Sequence, residues 1–222
     1  QDGILPSLID LCCAAEIELE RYWANIVIKG ENNIENFPYF KNYVQLTDYE
    51  IKQMKKHINL DGKKMLFVGS GALPLTAIMF KKQQSSLDIK CIDKNEKDVE
   101  YANMILSKLG LNGLYVGHCD ISDLNATMQL MLSASDIVFI AALVGNSSQQ
   151  KNQILGGIHD YIRDESIITL RSVPDDMRRL LYYKFNLDDR LKGKYQPLGE
   201  YSLPREIGVI NSLAILSTNK AN

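Results

Sequence analysis

The sequence has neither an excess of positive charge nor a long apolar run. Its 222 residues carry a formal net charge of −2, with acidic and basic side chains interspersed. Nucleic-acid-binding proteins usually show a basic patch or stripe, so the composition gives no electrostatic case for such a partner. No apolar run approaches the roughly 18 residues that a membrane span needs, and no secretory signal pattern opens the chain. We therefore expect a cytoplasmic protein without a nucleic-acid or membrane partner.

Residues that commonly bind metals are few and are not arranged as ligands. The cysteines are Cys12, Cys13, Cys91 and Cys119, and the histidines are His57, His118 and His159. No Cys-x-x-Cys spacing occurs, and the histidines have no ligand spacing with each other or with a cysteine. We expect reduced thiols, histidines with structural or surface roles, and no metal site.

The first sixty residues have a helical pattern. Apolar side chains recur at helical spacing over residues 4–28, and a second stretch after Phe40 places Ile51, Met54 and Ile58 on one face. We expect residues 1–60 to form an N-terminal all-helical cap, with the boundary at Asp61-Gly62. Because the chain begins at Gln1 and not at Met, the presence of a leading segment is left open.

From residue 64 the chain alternates between apolar strands and helices. Strands are predicted at 64–68, 87–92, 114–118, 136–142 and 166–171. A helix ending at Gly110 separates the second strand from the third, and a shorter helix is predicted at about 175–184. The segment 209–216 is predicted to be a strand at an antiparallel end of the sheet. This order predicts a doubly wound α/β domain over residues 61–222.

The strand at 64–68 leads directly into Gly69-Ser70-Gly71 and then into a helix start. Glycines let the backbone approach a ligand closely, and a helix start presents free N–H groups. The third glycine of the dinucleotide fingerprint is missing, and Leu73-Pro74 stands near its place. This argues against NAD and for a nucleoside without phosphates, of which S-adenosylmethionine is the commonest. The predicted fold class is therefore a Rossmann-like, class I S-adenosylmethionine-dependent transferase sheet with a helical cap.

Two aspartates follow the second and third strands. Asp93 ends the second, where an acid is placed to accept hydrogen bonds from ribose hydroxyls. Asp120 follows the third and is expected to face the nucleoside, near the adenine amine. For each of them the alternative is a helix N-cap, because Asp93 begins a capping-box pattern and Asp120 is followed by residues that could also cap a helix.

Five separated segments resemble the nicotianamine synthase family. They occur in the family's order and cover most of the chain: 37–46, 67–76, 136–145, Leu170-Arg171-Ser172 and 209–212. Two features depart from the plant pattern, namely Ala72, where the family usually has proline, and the stretch 173–176. Together with the short length, these departures resemble the bacterial branch that makes staphylopine-type, opine metallophores.

The resemblance implies a reaction and a set of residues. The family displaces the γ-carbon of the aminobutyrate arm of S-adenosylmethionine with an amine and releases methylthioadenosine. The acceptor in the staphylopine branch is histidine, with the D enantiomer the expected one, and the product rather than the protein binds metal. The expected cofactor-binding residues are Gly69, Ser70, Gly71, Leu73, Pro74, Asp93, Asp120, Ala142 and Leu143.

The resemblance also suggests residues for the acceptor side. Glu50 is expected to act as general base, since a protonated amine is inert, and the alternative is a solvated helix residue. Tyr39 and Tyr43 are expected to close the pocket or hydrogen-bond the substrate, and their alternative is aromatic packing of the cap. Arg171 is expected to grip a substrate carboxylate bidentately, and its alternative is an ion pair with a nearby acid.

Other functions stay open on the sequence alone. Nicotianamine synthase proper would use a second S-adenosylmethionine as acceptor, and an ordinary small-molecule methyltransferase would use the same cofactor pocket. A catalytically silent nucleoside-binding module is a third alternative. A homodimer is the default expectation for the oligomeric state.

Overall fold

The computed structural model describes residues 3–219, which form a seven-stranded mixed sheet with helices. The helices are α1 Ile4–Lys29, α2 Phe40–Met54, α3 Leu75–Gln83, α4 Glu96–Lys108, α5 Ala126–Ser133 and α6 Ser148–Ile158. The strands are β1 Lys64–Val68, β2 Asp88–Asp93, β3 Val116–His118, β4 Ile137–Ile140, β5 Ile167–Ser172, β6 Tyr195–Ser202 and β7 Ser212–Thr218. The strand order is β3-β2-β1-β4-β5-β7-β6. Strands β1 to β5 run parallel, whereas β7 is antiparallel to both β5 and β6.

Each face of the sheet is covered by its own apolar cluster. In β1, Met65 and Phe67 belong to one cluster, and Leu66 and Val68 belong to the other. This follows from the alternation of side chains along a strand. All four residues of β4 are buried, as expected for a central parallel strand that is covered on both sides.

The two N-terminal helices pack onto one face of the sheet. Ala24 of α1 and Met54 of α2 are fully buried in the same cluster as Phe67 and Phe80. The cap and the sheet therefore share a core, and a domain boundary at residue 60 stays a prediction. Within residues 3–219, no helix combines the length and apolar character that crossing a membrane requires.

The predicted fold class is confirmed, but two local predictions are wrong. The helix expected at 175–184 is a short 3₁₀ helix, Met177–Leu180. Asp176 caps it, but its continuation is lost because Tyr182 and Tyr183 hydrogen-bond to carboxylates of α1 instead. Helix α2 ends at Met54, so Ile58 lies in the following turn.

Candidate active site

A cavity of about 570 Å³ lies at the carboxyl ends of β1, β2 and β4. Strand β1 stands between β2 and β4, so the cavity opens where the strand order reverses. Ligands of open α/β sheets bind at this position. Helix α1 contributes side chains to the wall opposite the strand ends. The volume is within the range of about 300–1,000 Å³ that small-molecule sites occupy.

The glycine turn after β1 forms the floor of the cavity. Gly69 has a φ of +83° and Gly71 a φ of +67°, which other residues rarely adopt. There is also no room for a side chain at either position. A Cβ on Gly69 would collide with the Val144 side chain, and one on Gly71 would lie 2.5 Å from the Glu20 carboxylate. The two glycines therefore let a loop and a carboxylate approach the same turn.

Of the other residues in the glycine motif that are expected to bind the cofactor, two line the cavity and Pro74 does not. Ser70 and Leu73 line the cavity, while Pro74 is buried at the N-cap position of α3 and is not part of the cavity wall. The hydroxyl oxygen of Ser70 is buried and has no hydrogen-bond partner within the described residues 3–219. A buried, unpaired hydroxyl is costly, so this atom fits a ligand contact.

Asp93 organises the glycine turn from the end of β2. One carboxylate oxygen accepts the Gly71 N–H at 2.9 Å, and the other accepts the Asn95 N–H at 2.9 Å. Burial raises the pKa of Asp93, and these two hydrogen bonds oppose the rise. Asn95, not Asp93, caps α4 through Asp98. Asp93 is therefore a cavity residue rather than the helix cap.

Asp120 lies at the edge of the cavity and is exposed. Its carboxylate accepts the Ser122 N–H at 2.8 Å, which fixes the turn after β3. Asn125 caps the following helix, so Asp120 is not the cap there. In the loop after β4, Ala142 and Leu143 line the cavity.

Two carboxylates of α1, one helical turn apart, also line the cavity. Glu20 accepts a hydrogen bond from the Tyr43 hydroxyl at 3.2 Å, and Glu16 accepts one from the Tyr182 hydroxyl. Burial and the charge of Glu16 raise the pKa of Glu20 well above its ordinary value. Burial likewise raises the pKa of Glu16. Such surroundings favour the protonated form of a carboxyl group.

Glu50 and Arg171 form a buried ion pair between α2 and β5. The guanidinium Nε and Nη2 donate to the two carboxylate oxygens at 2.8 and 2.9 Å. Arg171 lines the cavity, whereas Glu50 is 0% exposed and is not part of its wall. Burial raises the pKa of Glu50, and Arg171 counteracts this. Because both oxygens are bound and lie away from the cavity, the geometry does not favour Glu50 as the general base.

The two tyrosines expected near the acceptor differ in their relation to the cavity. Tyr43 lines the cavity beside Glu20. Tyr39 is 52% exposed, packs edge-on against Phe37 and is not part of the cavity wall. Tyr39 therefore has the packing role that was its alternative, and the geometry does not favour direct contact with a ligand.

Sequence reasoning missed several cavity residues. They are Glu16, Glu20 and Asn211. For Glu16 and Glu20, the available signal was their spacing of four residues, which places both carboxylates on the same face of α1. Asn211 lies in the segment 209–212 that resembles the family, and its buried side-chain nitrogen has no hydrogen-bond partner among residues 3–219. Within residues 3–219, no group of three or more His, Cys, Asp or Glu side chains is placed to hold a metal ion.

Solved structures with the same fold include complexes with small molecules. One is MtNAS in complex with MTA and tNA, with a TM-score of 0.78, 23% identity, and coverage of 97% of this chain and 76% of that one. Another is a MtNAS variant in complex with S-adenosylmethionine, with a TM-score of 0.78, 20% identity, and coverage of 96% and 77%. The mitomycin 7-O-methyltransferase MmcR has a TM-score of 0.58 at 11% identity, covering 82% of this chain and 54% of its own. At these identities the likeness shows the fold.

Sequence comparisons give the family. The chain is 32% identical over 221 residues to nicotianamine synthase of Solanum lycopersicum, covering 96% of this chain and 66% of that protein. It is 27% identical over 219 residues to nicotianamine synthase 1 of Hordeum vulgare, covering 94% and 64%. The chain thus spans about two thirds of the length of these relatives. The family model described as nicotianamine synthase protein matches residues 2–222. The chain belongs to the nicotianamine synthase family.

Proposed function

We propose that this chain transfers the 3-amino-3-carboxypropyl group of S-adenosylmethionine to the amine of an amino acid and releases methylthioadenosine. The observation that carries this proposal is the approach of Glu20 to Gly71 across the cavity. It places a proton acceptor beside the turn on which a nucleoside would lie. Family membership supports the proposal, as do neighbours of the same fold whose complexes hold S-adenosylmethionine or MTA.

The strand ends offer contacts that suit S-adenosylmethionine as co-substrate. Asp93 carries a carboxylate at the end of β2, where ribose hydroxyls can donate to it. The Ser70 hydroxyl and the Asn211 amide nitrogen are buried and have no partner in the part of the chain that the structure describes, so polar ligand atoms would satisfy them. We assign the remaining nucleoside contacts to Asp120, Ala142 and Leu143.

The reaction exchanges one bond to carbon for another. The amine nitrogen attacks the γ-carbon, the bond from that carbon to sulfur breaks, and the sulfonium leaves as the neutral thioether methylthioadenosine. Glu20 takes the proton that the amine loses, because its carboxylate lines the cavity beside the glycine turn. Tyr43 orients Glu20 through its hydroxyl. This assignment moves the base from Glu50 to α1.

Arg171 is proposed to bind a carboxylate of the reactants. A guanidinium has five N–H groups, and Glu50 takes up two of the donors on Arg171. The others are available to a ligand because Arg171 lines the cavity. Glu50 then has a positioning role, because it holds the Arg171 guanidinium in place without lining the cavity itself.

For the acceptor we propose histidine, with the D enantiomer first, in the synthesis of a nicotianamine-like metallophore. The support is the resemblance of the chain to the staphylopine branch, including Ala72 in the glycine motif. The competing acceptor is a second S-adenosylmethionine.

The experiment incubates the protein with S-adenosylmethionine alone, with D-histidine and with L-histidine, and separates the nucleosides by chromatography. We expect methylthioadenosine in amounts that depend on histidine. If methylthioadenosine forms equally well without an added amino acid, the acceptor is a second S-adenosylmethionine and not histidine. S-adenosylhomocysteine as the product would overturn the proposed transfer in favour of a methyltransferase.

A further inference from the structure

Lys151 is a buried lysine that the proposed reaction does not use. It lies in the first turns of α6 and is 1% exposed. Its ammonium nitrogen is 2.6 Å from the carbonyl oxygen of Val144, 3.0 Å from that of Ala142 and 3.3 Å from that of Ala141. An ammonium has three N–H donors, and here each donor has a carbonyl acceptor.

These carbonyls belong to the loop 141–145, which follows β4 and lines the cavity. The Val144 side chain of this loop contacts Gly69 of the glycine turn. Gly145 has a φ of +77°, and a Cβ there would lie 3.2 Å from Cγ of Lys151. The loop therefore turns around the lysine on one side and faces the nucleoside position on the other.

Stability alone does not account for a lysine at this position. Burial lowers the pKa of Lys151 to about 7, because a buried site disfavours the charged form. Apolar side chains of similar volume often replace buried charges with no loss of stability. What an apolar side chain cannot do is fix three carbonyl oxygens at one point.

We propose that Lys151 is a positioning residue that holds the loop 141–145 in the shape that receives the nucleoside of S-adenosylmethionine. The proposal rests on the proposed function of the cavity, and it adds a residue that does not itself touch the ligand. Without the ammonium, the three carbonyls lose their common partner and the loop samples other shapes. The nucleoside then binds only the fraction of molecules with the competent loop.

The test compares Lys151→Met, Lys151→Gln and Lys81→Met. Methionine keeps the length and removes all donors, whereas glutamine keeps two N–H donors. Lys81 is the matched control, because its ammonium also binds backbone carbonyls, those of Ser85 and Leu87 at 2.8 and 2.9 Å, but it does not line the cavity. Calorimetric titration gives the Kd for S-adenosylmethionine and for methylthioadenosine, steady-state kinetics separate KM from kcat, and thermal melting without ligand reports the fold.

We expect Lys151→Met to bind both nucleosides at least about tenfold more weakly. An affinity loss of this size follows if the loop has the binding-competent shape in only about one tenth of the molecules. The affinity of Lys151→Gln should lie between those of Lys151→Met and the wild type. In both Lys151 variants, KM for S-adenosylmethionine should rise far more than kcat falls. Lys81→Met should bind both nucleosides with wild-type affinity. Wild-type affinity in both Lys151 variants overturns the proposal. Failure of both to fold also overturns it, because the lysine would then serve the fold. Absence of nucleoside binding by the wild type overturns the proposed function first and this role with it.

Discussion

At the scale of single residues, the geometry favours a base on α1, whereas the sequence predicts one on α2. Glu50 resembles a family glutamate in sequence, but both its oxygens are bound to Arg171. Glu16 and Glu20 look like solvent-facing positions of an amphipathic helix. Which side of α1 faces the sheet depends on contacts far along the chain, such as the ion pair of Arg21 with Asp98 at 2.7 Å. Local periodicity does not contain this information.

The first prediction concerns Glu20. Glu20→Gln keeps the shape and can still accept the Tyr43 hydroxyl, but it removes the basic oxygen. We expect kcat to fall by about 10²–10⁴, as for other lost general bases, with the Kd for S-adenosylmethionine changed less than about threefold. Single-turnover kinetics and calorimetric titration measure the two quantities.

The matched control is Glu18→Gln on the same helix, because the side chain of Glu18 is 73% exposed and is not part of the cavity wall. It should turn over at the wild-type rate. Wild-type turnover in Glu20→Gln would remove Glu20 from the mechanism, and the same measurement on Glu16→Gln would then show whether the neighbouring carboxylate is the base.

Asp93 was predicted correctly as a residue at the end of β2, and its partners give a second prediction. Asp93→Asn can still accept the Gly71 N–H but loses its charge. A hydrogen bond to a charged group contributes about 1.5–3 kcal/mol, so the Kd for S-adenosylmethionine should rise by about 10- to 150-fold. Equilibrium titration checks this.

The exposed Asp88 at the other end of the same strand provides the control, since Asp88→Asn should bind normally. If Asp93→Asn also bound like the wild type, the ribose contact would lie elsewhere.

At the scale of elements, the sequence predicted the sheet well and its later connections poorly. Strands β1 and β4 are short apolar runs, and their apolar side chains are buried as the pattern predicts. The segment after β5 was expected to be a helix because acids precede bases there. Its actual conformation depends on Tyr182 and Tyr183 reaching the carboxylates of α1, which are more than 160 residues away in sequence. Such distant partners leave no trace in a local window.

The ion pair between α2 and β5 gives the third prediction. Glu50→Gln leaves the Arg171 guanidinium buried without a counter-charge. Removing one partner of a buried pair costs about 3–5 kcal/mol, so the free energy of unfolding should fall by that amount. Urea denaturation followed by circular dichroism measures the change.

Lys52→Ala is a control on the same helix, because Lys52 pairs with Asp48 at the exposed surface. Exposed pairs are worth about 1 kcal/mol or less, so its loss should be small. A cost for Glu50→Gln as small as that of the control would show that the pair does not tie α2 to the sheet.

At the scale of the whole molecule, the α1 carboxylates should make stability depend on pH. Their pKa values are raised in the folded protein, so the folded state binds protons more tightly than the unfolded chain. Stability should therefore be fully present below the ordinary carboxyl pKa and should fall as pH rises through the raised value. The slope for one such group reaches about 1.4 kcal/mol per pH unit.

The fourth prediction follows by comparison with Glu20→Gln. Urea denaturation from pH 4.5 to 8 should show the wild type losing stability relative to this variant, which should be the more stable of the two at pH 8. Parallel curves would mean that Glu20 titrates in the folded state as it does in the unfolded chain, contrary to the account of the cavity.

The central claim is that the aminobutyrate arm of S-adenosylmethionine, and not its methyl group, is transferred. The most direct measurement supplies S-adenosylmethionine labelled in the methyl group together with D-histidine, L-histidine or no addition, and follows the label by mass spectrometry. The account predicts that all of the label stays in methylthioadenosine and that the acceptor gains an unlabelled 3-amino-3-carboxypropyl group. Label found in the acceptor, with S-adenosylhomocysteine as the nucleoside, would contradict it.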